Sequence, residues 1–145
     1  LGVRRVLLRT GIVLAREGGA LPQMSRPFRF GFGGPLGDGR QWLPWIHIAD
    51  ETGAIRFLLE RGDARGPFNL TAPHPVRNRD LARALGRALH RPSLLPAPAF
   101  ALHLALGEMA GMLLEGQRAV PRRLLEAGYR FRFPELAPAL ADLAG

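Results

Sequence analysis

Gly37 to Glu51 reads GDGRQWLPWIHIADE, and the fold class turns on it. A glycine-bearing loop carrying Arg40, Gln41 and Trp42 runs into a short β-branched strand, Trp45-Ile46-His47-Ile48. The strand gives way at Asp50 to a helical pattern that includes Ile55, Leu58 and Leu59. Polar and aromatic groups on a loop pinned between rigid elements are the usual setting of binding chemistry.

Toward the N-terminus, residues 3–9 predict a strand whose apolar run, Val6-Leu7-Leu8, gives it a buried centre in a parallel sheet. Between about 16 and 44 the chain is rich in glycine and proline and reads as one long loop, of the kind that serves function or moves. Toward the C-terminus, a helix is expected over about 50–61, capped by Asp50 or Thr52 and ended at Gly62. Phe68-Asn69-Leu70-Thr71 follows as a short strand with Phe68 and Leu70 on one face. Asn78 then caps a helix in which Leu81, Leu85 and Leu89 recur at helical spacing. Pro92, Pro96 and Pro98 make a stiff connector into a third helix, lined on one face by Leu102, Leu106, Met109 and Leu113, with Gly107 and Gly111 on another. A helix near 121–127 started by Pro121, an extended Tyr129–Phe133 and a helix after Pro134 complete the chain.

Strands separated by helices give an α/β class, mostly helical with a few short strands. Two or three short strands make a poor sheet alone, so the first strand is expected to belong to a larger sheet. Leu1 is not a start methionine and the chain opens at once on an apolar run, which reads as a piece of something longer. The expected division is 1–90 as sheet end plus substrate region and 91–145 as a small helical domain.

Composition narrows the function classes. The chain has 145 residues, 47% of them hydrophobic, enough for a real core. It has no cysteine, which removes disulfides, thiolate nucleophiles and cysteine metal sites, and fits a cytoplasmic protein. The net charge of +8 invites a nucleic-acid reading. All 20 basic residues are arginine, however, and phosphate binding demands no such exclusion of lysine, which argues against nucleic acid as the main partner. Residues 94–114 come nearest to a membrane span, but Pro96, Pro98, His103 and Glu108 interrupt them, so a buried amphipathic helix is expected.

Proton-transfer candidates are few. His47 reads as a histidine tied to backbone groups, since no carboxylate stands at motif spacing from it. Asp50 reads as a helix cap, His74 and His90 as surface residues, and His103 as facing a neighbouring helix. No histidine pair has zinc spacing. Gly31 to Gly39, GFGGPLGDG, lacks the strand–G-x-G-x-x-G–helix context and reads as a mobile binding loop. Trp42 and Trp45 are either a ligand wall or core. Arg79, Arg83 and Arg87 repeat along one helix face as a solvated stripe, a partner surface or an anion track. Arg118, Arg122 and Arg123 form a second cluster open to the same readings.

Arg9-Thr10-Gly11-Ile12-Val13-Leu14, GGPLGDGRQWLPWIHIADE, Gly66-Pro67-Phe68-Asn69-Leu70 and Pro75-Val76-Arg77-Asn78, in that order, resemble the C-terminal half of extended short-chain dehydrogenase/reductases. The likeness is nearest to the NAD-dependent epimerase, or nucleoside-diphosphate-sugar epimerase, subgroup, which ends in a small domain of unassigned function. Gly107-Glu108-Met109, Gly116-Gln117-Arg118, Pro121-Arg122-Arg123-Leu124 and Gly128-Tyr129-Arg130-Phe131 resemble that small domain.

The resemblance implies a Rossmann-type fold, NAD or NADP as cofactor, and a cofactor loop and Tyr-x-x-x-Lys pair supplied by an N-terminal Rossmann half of the same protein. It implies that Thr10, Gly11, Ile12 and Val13 lie on the cofactor side. Arg40, Gln41, Trp42 and Trp45 would orient a small-molecule substrate. No catalytic residue and no metal ligand is expected here, and the chain alone should be inactive. One departure stands out: Leu43 occupies the place where many sugar-nucleotide members carry a phosphate-binding arginine, so either Arg40 reaches that place from the loop or, the favoured expectation, the substrate is not a sugar nucleotide. The rival expectation is a non-catalytic arginine-rich module for an acidic partner or nucleic acid. Assembly with another chain through the third helix, a second copy included, is the remaining expectation.

Overall fold

In the computed structural model, residues 3–31, 33–93, 107 and 118–144 are described. Chain order is β1 (Val6–Thr10), β2 (Ile12–Leu14), α1 (Ala20–Arg29), β3 (Trp42–Leu43), β4 (Trp45–His47), α2 (Ile48–Glu60), β5 (Gly66–Leu70), β6 (Val76–Arg77), α3 (Asn78–Leu89), α4 (Arg122–Glu126) and α5 (Leu136–Ala144). The third helix expected after Pro98 lies outside the described residues, except that Gly107 sits in a turn at φ 60° rather than inside a helix.

Side chains on a strand alternate in direction, and β4 uses both faces. Trp45 joins one buried cluster with Ile12, Leu14, Leu43 and residues of α1, α3 and α5. Ile46 joins a second with Ala54 and Leu58 of α2, Phe68 and Leu70 of β5, and Leu124 of α4. Helices therefore cover the strands on both sides, the layering of a Rossmann-type α/β fold.

The strands pair over long stretches of sequence. β1 runs parallel to β5, with Thr10 opposite Leu70, and β2 runs parallel to β4, with Ile12 opposite Trp45. β3 and β6 form a short antiparallel pair. Gly11 is the junction at which the first strand changes partners: its N–H donates to Leu70 O, and the next N–H, from Ile12, donates to Pro44 O. A Cβ on Gly11 would stand 2.7 Å from Pro44 O and 2.9 Å from Thr71 Cγ2. Backbone cannot yield as a side-chain tip can, so Gly11→Ala should destabilise the chain by about 1–3 kcal/mol, readable as a lower urea midpoint at unchanged m-value.

Three expectations need correction. β1 does not have a buried centre: Val3, Leu7 and Leu8 are 78%, 59% and 42% exposed, because β5 is its one partner strand among the described residues. The stretch 16–44 is not one loop, since Ala20, Leu21, Met24 and Phe28 bury one face of α1. Pro22 falls in the first turn of α1, where a missing N–H costs nothing, and Pro27 in its last. Gly62 does not close α2; Arg61 is its C-cap, at φ −87°. Arg4 satisfies the carbonyls at that end, donating to Leu58 O at 3.0 Å and Leu59 O at 3.1 Å.

The glycine-rich stretch before β3 is also tethered rather than loose. Gln41 O and Gly39 O accept the N–H groups of Asn78 and Arg79, and Asn78 Oδ1 accepts from Leu36 N at 2.6 Å. The stretch thereby caps α3, whose first N–H groups have no partner within the helix. Asn78 is the first helical residue rather than the cap; the cap is Arg77, whose N–H donates to Asp80 Oδ2 at 3.2 Å. No described helix is long and apolar enough to cross a membrane.

Candidate functional site

Ligands of open parallel α/β sheets bind beyond the carboxyl ends of the strands. In this chain a cleft of about 320 Å³ opens there, lined by Arg9, Thr10 and Gly11 at the end of β1, Asn69 and Thr71 at the end of β5, Pro44, and Arg118 to Val120. Asn69 Nδ2 donates to Val120 O at 3.1 Å, joining the segment before α4 to the cleft. Thr71 is 2% exposed and its hydroxyl has no hydrogen-bond partner among the described residues. A buried hydroxyl left unpaired costs free energy.

Beside the cleft, Thr10 Oγ1 donates to Glu51 Oε1 at 2.9 Å, while Glu51 Oε2 is buried with no partner among the described residues. Burial raises the Glu51 carboxyl above its ordinary value, outweighing the opposite effect of the Thr10 hydroxyl. The folded carboxyl thus holds its proton more tightly than the unfolded one. Its ionisation costs stability as pH rises from the ordinary value of 4.5 through the raised folded value. Glu51→Gln keeps the acceptor for Thr10 and removes that cost. Thermal unfolding of the variant should exceed wild type by about 1–2 °C at pH 7, a small gain because the group is partly solvated. The gain should vanish below the ordinary glutamate value.

Two buried polar groups sit near the start of α2 and both are fully engaged. His47, expected to be tied to backbone, is the N-cap of α2: its Nδ1 accepts from Ala49 N at 2.9 Å. Its Nε2–H therefore donates to Asp142 of α5 at 2.8 Å, and its ring stacks on Phe133 at 4.0 Å. Asp50 is not the cap. Its carboxylate is 0% exposed and accepts from Tyr129 Oη at 2.8 Å, Arg132 N at 2.8 Å and Phe133 N at 2.9 Å. Burial first, and then the bond to Asp50 and its charge, push the Tyr129 phenol above its ordinary value. With three donors of one segment on its two oxygens, Asp50 serves as a post for the 129–133 segment. It is not poised as a base.

The residues expected around cofactor and substrate divide. Thr10 and Gly11 line the cleft, whereas Ile12 is in the core and Val13 packs half-buried against the second cluster. Trp42 is half-buried, with the Arg77 guanidinium 4.6 Å and the Arg118 guanidinium 5.6 Å from its ring centre. Trp45 is 1% exposed and belongs to the core, as does Leu43. Gln41 Nε2 donates to Leu36 O at 3.0 Å within its own loop. Arg40 is exposed, and its carbonyl accepts from Arg77 Nη1 at 3.1 Å. Sequence reasoning missed the contribution of Asn69 and Thr71 to the cleft, hinted at by the extended Phe68–Thr71 stretch; Arg118 was singled out in a basic cluster but not placed at this cleft. Among the described residues no group of histidines and carboxylates could hold a metal ion.

The described residues offer polar groups at strand ends, but no glycine loop between a strand and a helix.

A family model described as a domain of unknown function, DUF1731, matches residues 97–143. The mouse epimerase family protein SDR39U1 is 49% identical over 141 residues, covering 97% of this chain and 48% of that protein. Epimerase family protein YfhF of Bacillus subtilis is 44% identical over 143 residues, covering 99% of this chain and 48% of that protein. The crystal structure of human epimerase family protein SDR39U1 (isoform 2) with NADPH superimposes with a TM-score of 0.91 at 44% identity, over 97% of this chain and 48% of that one. The chain spans about half the length of the relatives it matches.

Proposed function

We propose that this chain, which matches the C-terminal part of epimerase family proteins over about half their length, forms the substrate side of a nicotinamide-dependent epimerase or oxidoreductase. The observation that carries the reading is the polar cleft at the carboxyl ends of β1 and β5. The cofactor, when bound, exchanges hydride with a substrate carbon bearing a hydroxyl. Thr10 and Gly11 supply the wall on the nicotinamide side. Asn69 holds the 118–120 segment over the cleft, and Trp42 braces Arg118 beside it.

The partner proposed is an N-terminal Rossmann half. Leu7 and Leu8 expose apolar surface on a strand with one edge unpaired among the described residues, the surface that an adjoining parallel strand and its helices would cover. NADPH, the nucleotide in the human relative's structure, is the first cofactor to test.

The test uses the 145-residue chain with and without the N-terminal half of Bacillus subtilis YfhF. The chain alone should neither bind nor turn over NADPH, and the mixture should bind it. A Leu7→Glu/Leu8→Glu variant should abolish the association. Turnover by the chain alone would overturn the reading. The exposed Arg79, Arg83 and Arg87 face keeps a nucleic-acid role as the rival; duplex affinity falling by about 10³-fold or more between 50 and 200 mM salt would favour it.

A further inference from the structure

A groove of about 260 Å³ runs between β1 and α2, lined by Val6 and Leu8 of the strand, Ile55, Leu58 and Leu59 of the helix, and Arg4. Leu8 and Leu59, on its two walls, are 42% and 70% exposed. Arg4 is already engaged by the carbonyls of Leu58, Leu59 and Ala64, so what the groove offers a partner is apolar surface. Alternate residues share a strand face and residues four apart share a helix face. Thr10 therefore continues the row of Val6 and Leu8, and Glu51 the row of Ile55 and Leu59. The two rows meet in the hydrogen bond from Thr10 Oγ1 to Glu51 Oε1, which closes the groove at the carboxyl end of β1. Glu51 Oε2 is buried there with no partner among the described residues, which costs folding free energy with no compensating bond. Burial holds the Glu51 carboxyl above its ordinary value for the same reason.

We infer that the groove seats a helix of the N-terminal Rossmann half, and that Glu51 anchors this contact by accepting a hydrogen bond from a donor on that helix. The inference rests on the reading of this chain as the substrate-side half, and it names the element and the residue through which the two halves engage. Layering makes the occupant a helix. With α2 covering one face of β1 and β5, a strand added at the unpaired edge of β1 brings the next helix of that layer beside α2, at the about 8–10 Å typical of packed helices. The relatives, about twice as long as this chain, have the residues to supply it. The last torsion of a glutamate is broad, so the carboxyl can turn its unpaired oxygen toward the newcomer. A carboxyl at this position also selects, because a helix without a facing donor would leave it buried and unpaired.

The experiment follows thermal unfolding near pH 7 of the 145-residue chain alone, and of the same chain joined at Leu1 to the N-terminal half of Bacillus subtilis YfhF or of mouse SDR39U1. In the chain alone Glu51→Gln should raise the midpoint, since it relieves an unpaired carboxyl. In at least one joined polypeptide the same substitution should lower the midpoint by about 2–4 °C, because it breaks a charge-assisted hydrogen bond across the contact. Leu59→Glu should leave the chain alone within about 2 °C, as a surface substitution does, and should lower the same joined polypeptide. Arg56→Gln, exposed on α2 and outside the groove row, should move neither. Opposite signs for Glu51→Gln in the two settings support the anchor. A joined polypeptide that unfolds in one transition, yet gains from Glu51→Gln or ignores it with both N-terminal halves, overturns the anchor while leaving the halves docked. Separate transitions, with the midpoint of the chain unmoved by the joining, overturn the docking and the substrate-side reading with it.

Discussion

Asp50→Ala is expected to lower the unfolding free energy by about 3–5 kcal/mol, a large share of the 5–15 kcal/mol typical of a domain. The carboxylate accepts three hydrogen bonds in a site closed to solvent. Bonds to a charged acceptor are each worth about 1.5–3 kcal/mol, and alanine leaves all three donors without a partner. Bonds that share one acceptor group do not add in full, which holds the total below the sum. Asp50→Asn should fall between, because its NH₂ group would face an amide donor. Tyr129→Phe, which removes one bond, should cost about 1 kcal/mol. Chemical denaturation of the three variants should return that order. A loss below 1 kcal/mol for Asp50→Ala would mean the 129–133 segment is held by its aromatic contacts instead.

Trp45→Ala should be of similar size, about 3–5 kcal/mol, for a different physical reason. The indole is 1% exposed and fills the space between α1, α3 and α5 in the larger cluster. Its loss opens a cavity whose lining can close only in part. The indole N–H has no partner among the described residues, so Trp45→Phe removes an unsatisfied donor along with some volume and should cost less than about 1.5 kcal/mol. Thermal unfolding of both variants checks the contrast. Equal, large losses would point to an essential contact of the indole nitrogen.

How legible these features were in the sequence depended on range. Phe68 and Leu70 alternate, and Leu81 and Leu85 repeat at helical spacing, so β5 and α3 could be read locally. α1 carried the same signal in Ala20, Leu21, Met24 and Phe28, but Pro22 and Pro27 concealed it. The apolar run of β1 looks the same whether it lies in a core or at an open face, and nothing in residues 3–9 separates the two. His47 could be read as a structural histidine from its strand, but Asp142 lies 95 residues away. Asp50 and its donors are separated by 79 to 83 residues, beyond any spacing rule. The cleft was half legible: Thr10 and Gly11 came through family resemblance, while Arg118 needed the fold to bring it there. Conversely Trp45, which looked equally suited to a ligand wall, is core because β4 is buried on both faces.

The junction at Gly11 has a consequence for how the chain acquires its structure. One continuous strand supplies both parallel ladders, tying residue 10 to residue 70 and residue 12 to residue 45. Neither ladder can close locally, so each must meet the entropy of a long loop before any hydrogen bond rewards it. The helices, by contrast, can form within themselves. Refolding should therefore show helical signal ahead of tertiary signal, with the two ladders arriving together, since the glycine that ends one begins the other.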